Sequence, residues 1–86
     1  MAKYAVNIKP SARKELESLS DRLLARLIVK IDGLAAEPRP SGCKKLRGYK
    51  DLWRIRLGEY RVVYIIDDLR KLVSVTRVAH RKDVYD

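Results

Sequence analysis

Arginines recur at positions 54, 56 and 61 within KDLWRIRLGEYRVVYIIDD, interleaved with tryptophan, tyrosine and branched aliphatic residues. A guanidinium keeps its proton at physiological pH, and its planar fork can grip two phosphate oxygens at once. Arg54, Arg56 and Arg61 therefore point to anion chemistry. His80 and Arg81 follow in VAHRKDVYD, with Tyr85 close behind. Histidine is the side chain whose ordinary pKa lies nearest neutrality, and tyrosine can stack on a base or move a proton. This set suits metal-free cleavage of RNA. The substrate's own 2′-hydroxyl attacks the adjacent phosphorus, so the protein must align the strand, stabilise the added negative charge and manage two protons.

The element that must carry the first three arginines is a β-hairpin. Trp53, Ile55 and Leu57 alternate with Arg54 and Arg56, Gly58-Glu59 interrupts, and Tyr60 to Ile66 resumes as a second β-rich segment. A two-residue turn with glycine first sets Leu57 opposite Tyr60, Arg56 opposite Arg61, Ile55 opposite Val62, Arg54 opposite Val63 and Trp53 opposite Tyr64. One side is then wholly apolar, with Trp53 in the core, and the other carries the guanidinium groups. Like charges opposed across strands are destabilising. Two readings account for the Arg56–Arg61 pair: a phosphate bound between the arginines, or a solvated face on which long side chains splay apart. Both place Arg61, and Arg81 with it, on a solvated surface.

Upstream, Tyr4, Val6 and Ile8 alternate with polar residues as a short strand that Pro10 stops. Ser11 is placed to cap a helix carrying Ala12, Leu16 and Leu19, and Ser20-Asp21 to cap a second helix. In that second helix Leu23, Leu24, Leu27, Ile28, Ile31, Leu34 and Ala35 recur at helical spacing, with Arg22, Arg26 and Lys30 as a basic stripe opposite. Glu37 to Gly42 ends it, since Pro38 pushes its predecessor out of the α region. Downstream, Leu72 to Val78 reads as a third antiparallel strand with apolar residues at both parities. That fits a strand covered on both sides or a bulge near Arg77. Ala79 to Asp86 is expected to leave the sheet, putting His80, Arg81 and Tyr85 near the arginine hairpin. The order β-α-α-β-β-β gives an α+β domain, two helices on one face of a mostly antiparallel four-stranded sheet, the other face open to a ligand.

At 86 residues the chain makes one small domain. No apolar run is long enough to span a bilayer or reads as a secretory h-region, and Cys43 has no partner for a disulfide or a zinc site. The reading is a cytoplasmic protein with no membrane association, no metal and no cofactor. Its 20 Lys+Arg against 11 Asp+Glu leave a net charge of +9, with two thirds of the excess from Lys44 onward, so polyanions are the natural partners. Glycine-rich phosphate loops, nucleophile elbows and HExxH motifs are absent.

LRGYKDLWRIRLGEYRVVYIIDD followed by VAHRKDVY resembles the RelE/ParE toxin superfamily of prokaryotic toxin–antitoxin systems, and within it the RelE branch. The likeness rests on the helical pair ending in a proline, the Lys45-Leu46-Arg47-Gly48 lead-in, the Y-R-V-V-Y strand and the terminal H-R-x-D-V-Y. It covers residues 1–86, read as a single RelE-like toxin domain. The resemblance implies a fold similar to small microbial ribonucleases and cleavage of mRNA in the A site of the 70S ribosome. It also implies neutralisation by a cognate antitoxin protein, with operator DNA reached only through that antitoxin. The family's basic pair falls on Arg54 and Arg56, its phosphate-holding arginines on Arg61 and Arg81, and its C-terminal tyrosine on Tyr85, with His80 added as a proton carrier. Lys44, Lys45, Arg47, Lys50, Arg77 and Lys82 are expected along the RNA backbone. The family's well-studied members carry lysines where this chain has Arg54 and Arg56, and arginine cannot serve as a general base. Two other functions compete: a ParE-like poison of DNA gyrase, and a non-catalytic basic module that binds antitoxin and co-represses.

Overall fold

Val6 and Ile8 form the half-buried side of strand β1 (Ala5–Ile8), and Pro10 ends it by opening helix α1 (Pro10–Glu17). A proline at the first helical position is favourable, because its fixed φ suits the helix and its missing N–H would have had no partner there. The computed structural model describes residues 3–48 and 51–83. Lys9, not Ser11, stands at the N-cap of α1 and makes no side-chain cap. The Ser11 hydroxyl donates instead to the Thr76 carbonyl at 3.1 Å.

Helix α2 (Asp21–Gly33) starts as its sequence predicts: Ser20 Oγ accepts from the Leu23 N–H at 3.3 Å, and Asp21 lies at the positive end of the helix dipole. The apolar periodicity reaches Ala35, yet the helix closes at Gly33. Glycine is a poor helix former, and the Leu34 N–H bonds back to the Ile31 carbonyl, three residues away, which tightens the last turn. Leu27, Ile31 and Leu34 are buried nonetheless. Burial of side chains such as Leu27 and Ile31 is worth about 1.5–3 kcal/mol each, so packing outweighs intrinsic propensity in holding α2.

The sheet has five strands rather than four, in the order β1-β5-β4-β3-β2. The extra strand is β2 (Lys44–Lys45), two residues opposite Arg54 and Trp53. It is too short to show a periodicity. Strands β3 (Leu52–Leu57), β4 (Tyr60–Asp67) and β5 (Leu72–His80) are antiparallel, and β1 lies parallel to β5. The β3–β4 register is the one derived from the alternation, with Arg56 opposite Arg61 and Trp53 opposite Tyr64. Gly58 takes φ 57° in the turn, a value that favours glycine.

The ambiguous parity of β5 has both anticipated causes. The strand is central, between β1 and β4, and it carries a bulge: Val63 faces Arg77 while Tyr64 faces Val75, so Thr76 is the extra residue. The strand also runs further than expected. Tyr60 and Arg61 continue the ladder to His80 and Ala79, and only then does the chain enter a 3₁₀ turn, Arg81–Asp83.

Both helices pack on the apolar side of the sheet. Ala12, Leu16, Leu27, Ile31 and Leu34 meet Ile55, Val62, Tyr64, Ile66, Val73, Val75 and Val78. Trp53 is only half-buried at the margin of this core, where the Arg39 guanidinium lies 5.0 Å from its ring centre. The buried Tyr64 donates its hydroxyl to the Pro38 carbonyl at 2.7 Å, and burial pushes its pKa well above the usual phenol value.

Candidate active site

Residues opposed across strands share a face of the sheet. Arg56, Arg61 and Ala79 form one row on the face away from the helices, and Arg54 and Val63 form the next. The three arginines therefore converge as their spacing predicts, but their burial does not follow the expectation of a solvated face. Arg56 is exposed, whereas Arg61 is 8% and Arg54 only 4% exposed. The reason is position. Arg61 lies on β4 with strands on both sides, and Arg54 lies between β2 and β4, so nearly the whole of each side chain is covered. Arg54 donates to the Gly42 carbonyl at 3.3 Å.

Arg81 reaches this end of the sheet through the hairpin turn. Its N–H donates to the Glu59 carbonyl at 2.7 Å, and its Nε lies 2.8 Å from Glu59 Oε2. Both side chains of that ion pair are more than half exposed. The carboxylate orients the guanidinium from its Nε edge, an arrangement suited to presenting the terminal nitrogens to an anion.

His80 belongs to the opposite parity. It faces Tyr60 across the β4–β5 ladder, with their rings edge to face at 5.6 Å between centroids. It is thus on the helix side of the sheet, at the strand end, and not in the arginine row. Its Nδ1 accepts from the Lys82 N–H at 3.3 Å, which leaves Nε2 to carry the proton of the neutral ring.

The basic residues expected along RNA divide into two groups. Lys44, Lys45 and Arg47 are exposed on and beside β2, next to the arginine strands, and Lys82 is exposed in the 3₁₀ turn. Arg77 has different partners: it donates to Glu15 Oε2 and to the Asp83 carbonyl, each at 3.1 Å. Lys50 and Tyr85 lie outside the described residues. Among the described residues no group of histidine, cysteine and carboxylate side chains could hold a metal ion. No helix among them is long and apolar enough to cross a membrane.

One feature escaped the sequence reading. A groove of about 800 Å³ runs between α2 and the outer edge of β3, with Val29, Ile55 and Leu57 as apolar lining and Arg26, Lys30 and Arg56 as cations. Val29 is 73% exposed in it, large for an apolar side chain. The α2 stripe of Arg22, Arg26 and Lys30 was the available signal, but only the folded chain shows which strand it faces.

Comparison with known proteins accords with this architecture. Residues 6–85 match the family described as the ParE toxin of type II toxin–antitoxin systems, parDE. Toxin RelG of Mycobacterium tuberculosis is 36% identical over 83 residues, 95% of each chain. Toxin RelE of the same organism is 31% identical, covering 95% of this chain and 86% of its own. Among solved structures, the toxin–antitoxin complex RelBE2 of M. tuberculosis superposes with a TM-score of 0.84 at 36% identity, over 96% of this chain and 97% of that one. The archaeal RelE–RelB complex of Pyrococcus horikoshii OT3 superposes with a TM-score of 0.82 at 32% identity, over 98% and 100%. With its fold and these likenesses in agreement, the chain belongs to the RelE/ParE toxin superfamily of type II toxin–antitoxin systems, on the RelE side of it.

Proposed function

We propose that this protein is the toxin of a toxin–antitoxin pair and arrests translation in the cytoplasm by cleaving mRNA in the ribosomal A site. The observation that carries the reading is the Arg56–Arg61 opposition, with Arg81 brought to the same end of the sheet by Glu59. In the reaction the 2′-oxygen forms a bond to the adjacent phosphorus as the bond from phosphorus to the 5′-oxygen breaks. One proton leaves the 2′-hydroxyl and another reaches the departing 5′-oxygen, giving a 2′,3′-cyclic phosphate and a 5′-hydroxyl. Arg61 and Arg81 hold the phosphate and balance its growing charge. Arg54 and Arg56 act electrostatically, since a guanidinium does not give up its proton. Tyr85 or a ribosomal group carries the two protons, since strand parity sets His80 on the other side of the sheet. Lys44, Lys45, Arg47, Lys50 and Lys82 steer the RNA backbone.

The cognate antitoxin is the second partner. The α2–β3 groove, apolar within and cationic at its rim, suits an acidic amphipathic segment of it.

The test is to incubate the protein with a defined mRNA, free and on ribosomes stalled with an empty A site, and to map the new 5′ ends. Cleavage confined to the A site and lost in Arg81→Ala supports the reading. Cleavage of free RNA identifies a self-sufficient nuclease. No cleavage in either tube, with a DNA-damage response in expressing cells, identifies a gyrase poison.

A further inference from the structure

Strand β1 stops opposite Val75, and past that point α1 takes over the outer edge of β5. The Ser11 hydroxyl donates to the Thr76 carbonyl at 3.1 Å, and Glu15 Oε1 accepts from the Val78 N–H at 2.8 Å. Two side chains of a helix thus satisfy backbone groups that a neighbouring strand would otherwise take. Glu15 does more with its second oxygen. Oε2 receives one terminal nitrogen of Arg77 at 3.1 Å, and the other terminal nitrogen donates to the Asp83 carbonyl at 3.1 Å. One guanidinium therefore spans from the first helix to the turn that carries Arg81. The bulge at Thr76 supplies the extra residue just before Arg77.

We infer that Glu15 and Arg77 are positioning residues for Arg81. Glu15 fixes the Arg77 fork, and the fork holds the Arg81–Asp83 turn against the body of the protein, opposite the hold that Glu59 has on Arg81 itself. The role needs arginine, because a planar fork can serve two acceptors at a fixed separation and an ammonium cannot do so with the same geometry. It also removes Arg77 from the RNA-binding set. The catalytic half of this inference rests on the proposed A-site cleavage; the latch itself does not.

Two measurements on Arg77→Met, Arg77→Lys and Glu15→Gln decide it. The first is amide hydrogen exchange, read by NMR, at Arg81 and Lys82, whose N–H groups are bonded to Glu59 and His80. Arg77→Met, which keeps the apolar stem and deletes the fork, should speed exchange at these two sites about tenfold and leave the β3–β4 hairpin unchanged. The second is cleavage on the ribosome. Displacing a charge-stabilising group by about an ångström can cost on the order of 100-fold in rate, so Arg77→Met should lower kcat by about 10- to 100-fold with KM nearly constant. Glu15→Gln keeps an acceptor for Val78 but loses the charge, and should move both readouts in the same direction by less. Arg77→Lys should fall between Arg77→Met and the parent.

Unchanged exchange in Arg77→Met overturns the latch. Faster exchange with kcat preserved overturns the catalytic half, and so does a raised KM at constant kcat, which marks Arg77 as a direct RNA contact. A parent protein that leaves ribosome-bound mRNA intact removes the proposed function and the catalytic half together, while the exchange measurement still decides the latch.

Discussion

The two ends of the sheet handle charge in opposite ways. At the β4–β5 turn, Asp68 takes the Tyr4 hydroxyl at 2.5 Å and two nitrogens of Arg39 at 3.0 and 3.3 Å. Lys71 lies 5.1 Å from the centre of the Tyr4 ring, and Arg70 pairs with Asp67. Each cation there has an anion or a π-face, and three separate chain segments are tied by the arrangement. At the β3–β4 turn, guanidinium groups face one another across strands, and the one carboxylate of the turn, Glu59, is engaged with Arg81. The first end ties separate chain segments together through opposite charges, and the second brings like charges into register on adjacent strands. The difference teaches that net charge alone says little here, since both ends are basic and only one concentrates like charge.

Substitutions can break that contrast or sharpen it. The largest effect belongs to Arg81→Ala. Loss of one preorganised charge-stabilising group costs about 10²–10³ in rate, and Arg81 is 61% exposed, so cleavage should collapse while the melting temperature holds. Arg61→Ala should remove activity equally but destabilise the fold as well, because its stem is buried; unfolding curves for the two variants should separate them.

Next comes Trp53→Ala. A fully buried tryptophan loses about 3–5 kcal/mol on truncation, and for this half-buried ring at the marginal core roughly 2–3 kcal/mol is expected in urea denaturation. Arg56→Glu should have a smaller effect of the opposite sign. Replacing a like pair by an opposite pair opposite Arg61 should add about 0.2–1 kcal/mol of stability while weakening cleavage, and a variant that is both less stable and fully active would contradict the division of labour drawn above.

The smallest effect concerns acid. Bonds from Arg39 and then Tyr4 hold the Asp68 carboxyl down at about 2, below its ordinary 3.8. Its stabilising contribution is therefore complete at neutral pH and is lost as pH falls from near 4 towards 2. Asp68 is more than half exposed, so solvent screening keeps the loss modest. Asp68→Asn should flatten this limb of the acid-unfolding curve and leave cleavage at neutral pH untouched.

Much of this was legible in the linear chain. The hairpin register followed from strict alternation plus one glycine, because a two-residue turn leaves no freedom in pairing once one face is apolar. The convergence of Arg54, Arg56 and Arg61 came with it. What the chain hid has physical causes. Arginine counts as surface by composition, yet its stem is apolar, so nothing in the string foretold that Arg54 and Arg61 are buried and Arg56 is not. His80 was placed near the arginines by proximity in sequence, but strand parity puts it on the other side. Arg77 read as one more cation for RNA, since its partner Glu15 lies far away in sequence and local pattern carries no trace of such a pair. The end of α2 at Gly33 and the two-residue β2 fall below the length over which periodicity can speak.

The parallel pairing of β1 with β5 also bears on the order in which the fold is completed. Ala5 and Leu72 are neighbours in the sheet, so the first strand cannot find its partner until synthesis has passed β5. Contacts that close so long a loop are entropically late, and folding of such a topology is governed by them. The β3–β4 hairpin is local and can form early, but the turn bearing Arg81 follows β5 in the chain. During synthesis the arginines of β3 and β4 therefore emerge before the strand and the turn that complete the candidate site.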